Sequence, residues 1–151
     1  MESERIDLAV VQAWHEAVNR GELDRLAELL DDDVEFGGPR GTGRGATMVL
    51  EWARHSGIQL QPVRGFQRGD HVVVEEIATW QAPDAAEPSP PSDVAIHFTV
   101  RGDQVRRVVR YDSLADALAA AGLDAARDLQ PAPGPALDVA PPGGADGDRG
   151  P

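Results

Sequence analysis

The sequence contains no cysteine and no lysine among its 151 residues. Without cysteine the protein has no disulfides, thiolate metal ligands, cysteine nucleophile or thiol redox switch. Without lysine it has no Schiff-base chemistry. Met1 is not followed by a basic segment and an apolar run, and no apolar run approaches the ~18 residues of a membrane helix. These absences predict a cytoplasmic protein without a membrane partner.

Basic residues are also scarce: the chain has 14 of them and 26 acidic residues, which gives a formal net charge of -12. Phosphate backbones and anionic lipid surfaces bind proteins through clustered positive charge, and this composition repels them. The sequence therefore predicts no nucleic-acid partner.

The histidines and acidic runs lack the spacing of a metal site. None of the four histidines is placed four residues from another, as in a zinc-binding helix. We predict His15 and His55 on helix surfaces and His97 on the outer surface of a sheet. Asp31–Asp33 is predicted to be a solvated loop. The sequence thus indicates no metal ion and no cofactor.

We assign residues 1–123 to one α+β domain and residues 124–151 to a disordered tail, because proline and glycine dominate beyond Gln130. Apolar residues spaced by three and four predict helices, and alternating or β-branched runs predict strands. The predicted helices are 6–18, 23–30, 46–55 and 113–122, and the predicted strands are 58–67, 71–81, 93–101 and 104–112. The glycine-rich segment 37–45 is predicted to be a pocket-rim loop, since it lacks the lysine of a phosphate-binding P-loop.

Five short motifs occur in an order that resembles one superfamily. They are Val11-Gln12-Ala13-Trp14, Asn19-Arg20-Gly21-Glu22-Leu23-Asp24, Asp32-Asp33-Val34-Glu35-Phe36, Gly43-Arg44-Gly45 and the run from Val105 to Asp112 that precedes a helix. This order resembles the nuclear transport factor 2-like superfamily, and its ending resembles the SnoaL-like, polyketide cyclase-like branch. The resemblance implies a cone-shaped fold in which helices pack on a strongly curved antiparallel sheet around an internal apolar pocket.

The same resemblance points to two catalytic candidates, Asp112 and Arg110. Arg110-Tyr111-Asp112 is similar to the His-Trp-Asp ending of SnoaL-like cyclases, in which the aspartate is the general acid/base. Burial in an apolar pocket raises the pKa of a carboxyl group toward the range of proton transfer near neutrality. An Asp112 that points into bulk water would count against this role. The alternative is a first-turn acid of the closing helix.

Other branches of the superfamily supply comparisons for the remaining residues. Limonene epoxide hydrolases place an arginine between two acids, a pattern in which Glu75 would be the second acid here. The ketosteroid isomerase branch has its tyrosine and two acids where this chain has Trp14, Gly38 and Ile96, so that mechanism is not expected. The predicted substrate-binding residues are Trp14, Trp52, Glu75, Ile77, Ile96, Phe98 and Val108.

The function implied is a small-molecule pocket protein. It would be a cofactor-independent acid/base enzyme of the cyclase, isomerase or hydrolase type, acting on a small apolar organic substrate. The alternative is a noncatalytic module that binds a ligand or dimerises. We also expect a homodimer through the outer face of the sheet, because both faces of the strand around Val72–Ile77 are apolar.

Deleting the residues beyond Leu129 tests the predicted tail. Since these residues contain few large apolar side chains, we expect the thermal midpoint of the truncated protein to stay nearly unchanged. A decrease of more than several degrees in calorimetry would show that the tail packs on the domain.

Overall fold

Four helices lie in the part of the chain that the computed structural model describes, which is residues 2–81, 84 and 86–130. They are α1 (Glu2–Arg20), α2 (Leu23–Leu29), α3 (Ala46–Ser56) and α4 (Leu114–Ala121). Gly21 ends α1 in a left-handed conformation, with φ of 67°. Ser113 caps α4, since its hydroxyl accepts a hydrogen bond from the Asp116 amide at 3.1 Å. None of these helices has the length and hydrophobicity to span a lipid bilayer.

The strands form one curved sheet. They are β1 (Leu30–Gly38), β2 (Gly41–Arg44), β3 (Gln59–Arg68), β4 (His71–Thr79), β5 (Ser92–Arg101), β6 (Gln104–Tyr111) and β7 (Leu129–Gln130). Their order across the sheet is β2-β1-β6-β5-β4-β3-β7. Neighbouring strands are antiparallel except β1 and β6, which are parallel. The architecture is the α+β fold that the sequence predicted, but the sheet is mixed where an antiparallel sheet was expected.

The two faces of the sheet carry separate apolar clusters. On the inner face, Val94, Ile96 and Phe98 of β5 alternate into a core that also contains Val11 and Trp14 of α1. On the outer face, a smaller cluster contains Phe66, Val73 and Ala95 of the sheet with Ala117 and Leu118 of α4. Because α4 covers part of the outer face, part of the apolar surface that motivated the homodimer is buried within the chain. The homodimer stays a prediction.

Two segments differ from the sequence-based assignment. Asp31–Asp33 belongs to β1, and Gly41–Arg44 forms β2 rather than a loop. The hairpin closes tightly because Gly37 has no side chain, since a Cβ there would collide with the Gly41 carbonyl oxygen and the Thr42 backbone. In the sequence, the high glycine content of this segment favoured a loop. In the fold, the missing glycine side chains allow two strands to pair closely.

Residues 124–130, assigned to the tail, fold against the edge of the sheet. Leu129 pairs with Phe66 of β3. The buried carboxylate of Asp128 accepts hydrogen bonds from Arg68 at 2.6 and 3.3 Å and from the Asp124 amide at 2.7 Å. The Arg68 hydrogen bond and the Asp124 amide hold the pKa of Asp128 below its usual value. Residues 131–151, on which the rest of the disorder prediction falls, lie outside the described residues.

Asp128→Ala should lower the thermal midpoint by several degrees, since it leaves Arg68 and the Asp124 amide without their acceptor. The matched control is Asp103→Ala, which removes an exposed carboxylate from the β5–β6 turn. Differential scanning calorimetry at neutral pH measures both. Equal midpoints for the two variants would contradict an anchoring role for Asp128.

Candidate ligand-binding site

A cavity of about 350 Å³ lies between the helices and the inner face of the sheet. Four aromatic side chains line it: Trp14 of α1, Phe36 of β1, Trp52 of α3 and Trp80, which follows β4. The Trp14 and Trp52 rings are nearly parallel, with centroids 6.2 Å apart, and Phe36 tilts against Trp52 at 5.1 Å. Pockets that bind small organic molecules have volumes from about 300 to 1,000 Å³ and similarly apolar, aromatic linings. We call this cavity the aromatic cavity.

Aliphatic residues complete most of the aromatic cavity. Strand alternation brings them to the inner face from four neighbouring strands and from the residue before β3: Ile58, Leu60, Ala78, Val94, Ile96 and Val108. Trp80 is held in place by the β4–β5 connection, because its amide donates to the Ser89 hydroxyl at 2.8 Å. The walls are therefore apolar and supported by backbone hydrogen bonds.

Arg110 is the charged residue of this lining. It is half-buried near the end of β6, beside Gly38, and the described residues provide its guanidinium with no hydrogen bond or ion pair. The aromatic cavity contains no carboxylate among its lining residues. A half-buried guanidinium loses hydration without gaining a counter-charge, which makes it a site for an anionic or strongly accepting ligand group.

Asp112 lies outside the aromatic cavity. It is exposed and lines a second surface concavity that we call the outer depression, formed by Gly38, Pro39, Arg40, Gly41, Arg110 and Asp112. It forms no ion pair with Arg110. The expectation of a buried carboxylate is wrong, because β6 ends at Tyr111 and strand alternation does not extend to the next residue. This exposure counts against the acid/base role.

Five of the predicted site residues meet in the aromatic cavity: Arg110, Trp14, Trp52, Ile96 and Val108. Phe98 is fully buried and packs behind Trp14, with ring centroids 5.0 Å apart. Glu75 and Ile77 do not join them, since Val74, Glu76 and Ala78 take the inner positions of β4. Glu75 instead forms a 2.6 Å ion pair with Arg64 on the outer face.

A buried histidine–carboxylate pair was missed from the sequence. His15 of α1 and Glu76 of β4 are both fully buried, with His15 Nε2 2.8 Å from Glu76 Oε1. His15 Nδ1 donates to the Val11 carbonyl at 2.8 Å. The His15 ring contacts the Trp14 ring edge-on, with centroids 5.0 Å apart. His15 is thus not a surface residue but links α1 to the sheet next to a cavity wall.

This geometry requires a single proton between the two side chains. A carbonyl oxygen can only accept a hydrogen bond, so His15 Nδ1 carries the hydrogen that it donates to Val11. The contact between His15 Nε2 and Glu76 Oε1 is a hydrogen bond only if one of these two atoms also carries a proton. Burial alone lowers the pKa of His15, but the charge and hydrogen bond of Glu76 and the Val11 carbonyl outweigh it, so the pKa is raised above 6.5. Glu76 Oε2 and Trp14 Nε1 are buried without a hydrogen-bond partner among the described residues.

A second histidine also differs from the prediction. His97 is on the outer face, as predicted, but it is buried rather than on the surface. Its Nε2 lies 3.0 Å from His71 Nδ1. Burial, together with the nearby charges of Arg107 and His71, lowers the pKa of His97 to about 4. His97 is therefore neutral at physiological pH, and its ring stacks on that of His71 with centroids 5.2 Å apart.

A model of the SnoaL-like domain family matches residues 11–108, which is more than half of the chain. The chain belongs to the SnoaL-like domain family. The match confirms the resemblance seen in the sequence and runs from the middle of α1 through most of β6. The comparison with curated proteins finds no match.

Solved structures share the fold of this SnoaL-like domain. An LEH-like epoxide hydrolase from M. tuberculosis has a TM-score of 0.64 at 17% identity, over 78% of this chain and 90% of that one. A putative polyketide cyclase from Sinorhizobium meliloti has a TM-score of 0.57 at 17% identity, over 67% and 92%. A protein with a ketosteroid isomerase-like fold from Catenulispora acidiphila, in complex with trimethylamine, has a TM-score of 0.59 at 22% identity, over 78% and 95%. At these identities the likeness concerns the fold alone.

His15→Gln should destabilise the SnoaL-like domain by about 3–5 kcal/mol, because it leaves Glu76 buried and without its partner. Since the pKa of His15 is raised in the folded state, its stabilisation is fully present below pH 6.5 and is lost as pH rises through the raised value. The free-energy difference between wild type and His15→Gln should therefore shrink at alkaline pH. Urea unfolding at a series of pH values measures it.

The matched control is His55→Gln, which removes the exposed His55–Glu51 pair with its 3.1 Å contact on α3. Solvent screens that pair, so the control should change stability little at any pH. A free-energy difference for His15→Gln that grows between neutral and alkaline pH would contradict the single-proton assignment.

Proposed function

We propose that this SnoaL-like domain binds a small organic anion that has an apolar, ring-bearing body. The observation that supports the proposal is the half-buried Arg110, which has no counter-charge among the described residues and faces a cavity of aromatic and aliphatic walls. The ring would pack between the aromatic walls, and its carboxylate, phenolate or enolate oxygen would accept hydrogen bonds from the guanidinium.

The charge of Arg110 decides between two classes of ligand. Four aromatic rings around a small cavity also suit an organic cation, which binds to the faces of such rings. One structural neighbour was solved in complex with trimethylamine. In this chain, however, a cation in the aromatic cavity would lie near an unpaired guanidinium, and the like charges repel each other in a poorly hydrated space. The lining thus favours an anion.

Acid/base catalysis by Asp112 is the alternative function. One observation supports it, since Asp112 and Arg110 both line the outer depression. In that case the carboxylate would act on the part of a ligand that projects from the aromatic cavity, and the guanidinium would stabilise developing negative charge. The exposure of Asp112 favours binding over catalysis, because a solvated carboxylate lacks the burial that suits it to proton transfer near neutrality.

Arg110→Gln should weaken the binding of 3-phenylpropanoate by about 10- to 100-fold, since a hydrogen bond to a charged group contributes about 1.5–3 kcal/mol. The affinity for the neutral analogue 3-phenylpropanol should change little. Intrinsic fluorescence measures both, because all three tryptophans of the chain line the aromatic cavity. Isothermal titration calorimetry checks the affinities independently.

Two controls make this experiment specific. Arg101→Gln removes an exposed arginine at the end of β5, outside both concavities, and should leave both affinities unchanged. Trimethylamine should bind wild type more weakly than 3-phenylpropanoate. Equal binding of the acid and the alcohol by wild type, or tighter binding of trimethylamine, would overturn the proposal of an anionic ligand.

A further inference from the structure

We propose that the outer depression is a second subsite, continuous with the aromatic cavity, which takes the polar tail of an elongated amphipathic ligand. The tail has a hydrogen-bond donor, such as an amide N–H, and ends in an anionic group. This inference rests on the proposed function, because it assumes that the aromatic cavity holds the apolar end of the same molecule.

The two concavities share two residues, Gly38 and Arg110. The Arg110 guanidinium therefore lies at the junction, where it can contact a ligand on either side. The Arg110 side chain lies next to Gly38 at this junction, since a Cβ on Gly38 would be 3.6 Å from Arg110 Nε and 3.7 Å from Nη2, in ordinary van der Waals contact. Because both concavities are lined by these two residues, a ligand that contacts Arg110 in the aromatic cavity can extend past its guanidinium along the turn of the β1–β2 hairpin.

The charged groups of the outer depression are available to a ligand. Arg40 in the hairpin turn and Asp112 after β6 are exposed, and neither forms an ion pair or hydrogen bond within the described part of the chain. Arg40 supplies donors for an anionic group, and Asp112 supplies an acceptor for an N–H or O–H group. Together with Arg110, this set carries a net positive charge in a protein whose overall charge is strongly negative.

The apolar and polar surfaces are separated along one line. Aromatic and aliphatic walls lie on the inner side of Arg110, and the hairpin turn with Arg40 and Asp112 lies on the outer side. If the ligand were apolar throughout, its end in the outer depression would lie against Arg110, Arg40 and Asp112. It would offer these charged side chains no polar group with which to pair. A ligand whose polarity changes at the level of Arg110 matches both sides, which is why we assign an amphipathic rather than a uniformly apolar ligand.

The test compares 3-phenylpropanoate with N-(3-phenylpropanoyl)glycine and N-(3-phenylpropanoyl)glycylglycine, which extend the same ring by one and two amide units. Dissociation constants come from tryptophan fluorescence and calorimetry on the full chain. We expect at least one extended compound to bind wild type about fivefold more tightly than 3-phenylpropanoate. This is the ratio of dissociation constants expected when one exposed ion pair is added to a complex. Arg40→Gln should remove this gain and leave the affinity for 3-phenylpropanoate unchanged.

The matched control is Arg44→Gln, an exposed arginine of the same hairpin that lines neither concavity, and it should retain the gain. Replacing glycine by sarcosine removes the amide hydrogen and should lose the part of the gain that depends on Asp112. An extended series that binds no more tightly than 3-phenylpropanoate, or a gain that survives Arg40→Gln, overturns the second subsite. Either result leaves the proposed function standing if 3-phenylpropanoate binding still depends on Arg110, whereas loss of that dependence overturns the proposed function itself.

Discussion

The hydrogen bond between His15 and Glu76 is the constraint on which the position of α1 depends. Burying two polar side chains completely is costly unless they pair, and here they pair only if α1 lies in one register over β4. A second contact fixes the end of the same helix, where the Asn19 side chain exchanges hydrogen bonds of 2.9 and 2.8 Å with the Leu60 backbone. Trp14 immediately precedes His15 on α1, so the position of this cavity wall is set by polar contacts outside the aromatic cavity.

The interior of this domain combines two ways of accommodating charge. The His15–Glu76 pair shares one proton and adds no net charge to the core, which is compatible with complete burial. Arg110 keeps its full charge and lies at the boundary, half-buried and without a counter-charge in the described structure. The difference is physical: a neutral pair can be covered on all sides, whereas an unpaired guanidinium needs water or a ligand anion. The position of Arg110 therefore distinguishes the structural His15–Glu76 contact from the side chain to which we assign ligand recognition.

Much of the fold could be predicted from local patterns. The three- and four-residue spacing in α1 and the alternation of Val94, Ile96 and Phe98 in β5 both match the structure. The β1–β2 hairpin could not be predicted, because glycine lowers strand propensity and the close approach at Gly37 is a tertiary contact. The capped closing helix was predictable from Ser113, Asp116 and Gly122, since its signals are all local.

The site was harder to predict because polar side chains occupy positions that the pattern of their elements assigns to the core. Val11, Trp14, His15 and Val18 share one helical face, and this spacing was the signal that His15 is buried. Glu76 likewise shares strand parity with Val74 and Ala78. On β4 both faces carry apolar residues, so alternation alone did not decide which face Glu75 and Ile77 occupy. The direction of the Asp112 side chain depended on whether β6 includes this residue. The alternation of side chains along a strand does not indicate where the strand ends.

The parallel pairing of β1 with β6 has a consequence for the order of folding. Glu35 of β1 and Arg107 of β6 are 72 residues apart in the chain and form a 2.7 Å ion pair. Contacts of such long sequence separation form slowly, since the loop between them must be closed first, whereas the β3–β4 and β5–β6 hairpins are local. During synthesis, the mouth of the aromatic cavity, with Phe36 and Gly38 on one strand and Arg110 on the other, cannot assemble until β6 has left the ribosome. Helices α1 to α3 and the β1–β2 and β3–β4 hairpins can therefore form before the aromatic cavity is complete.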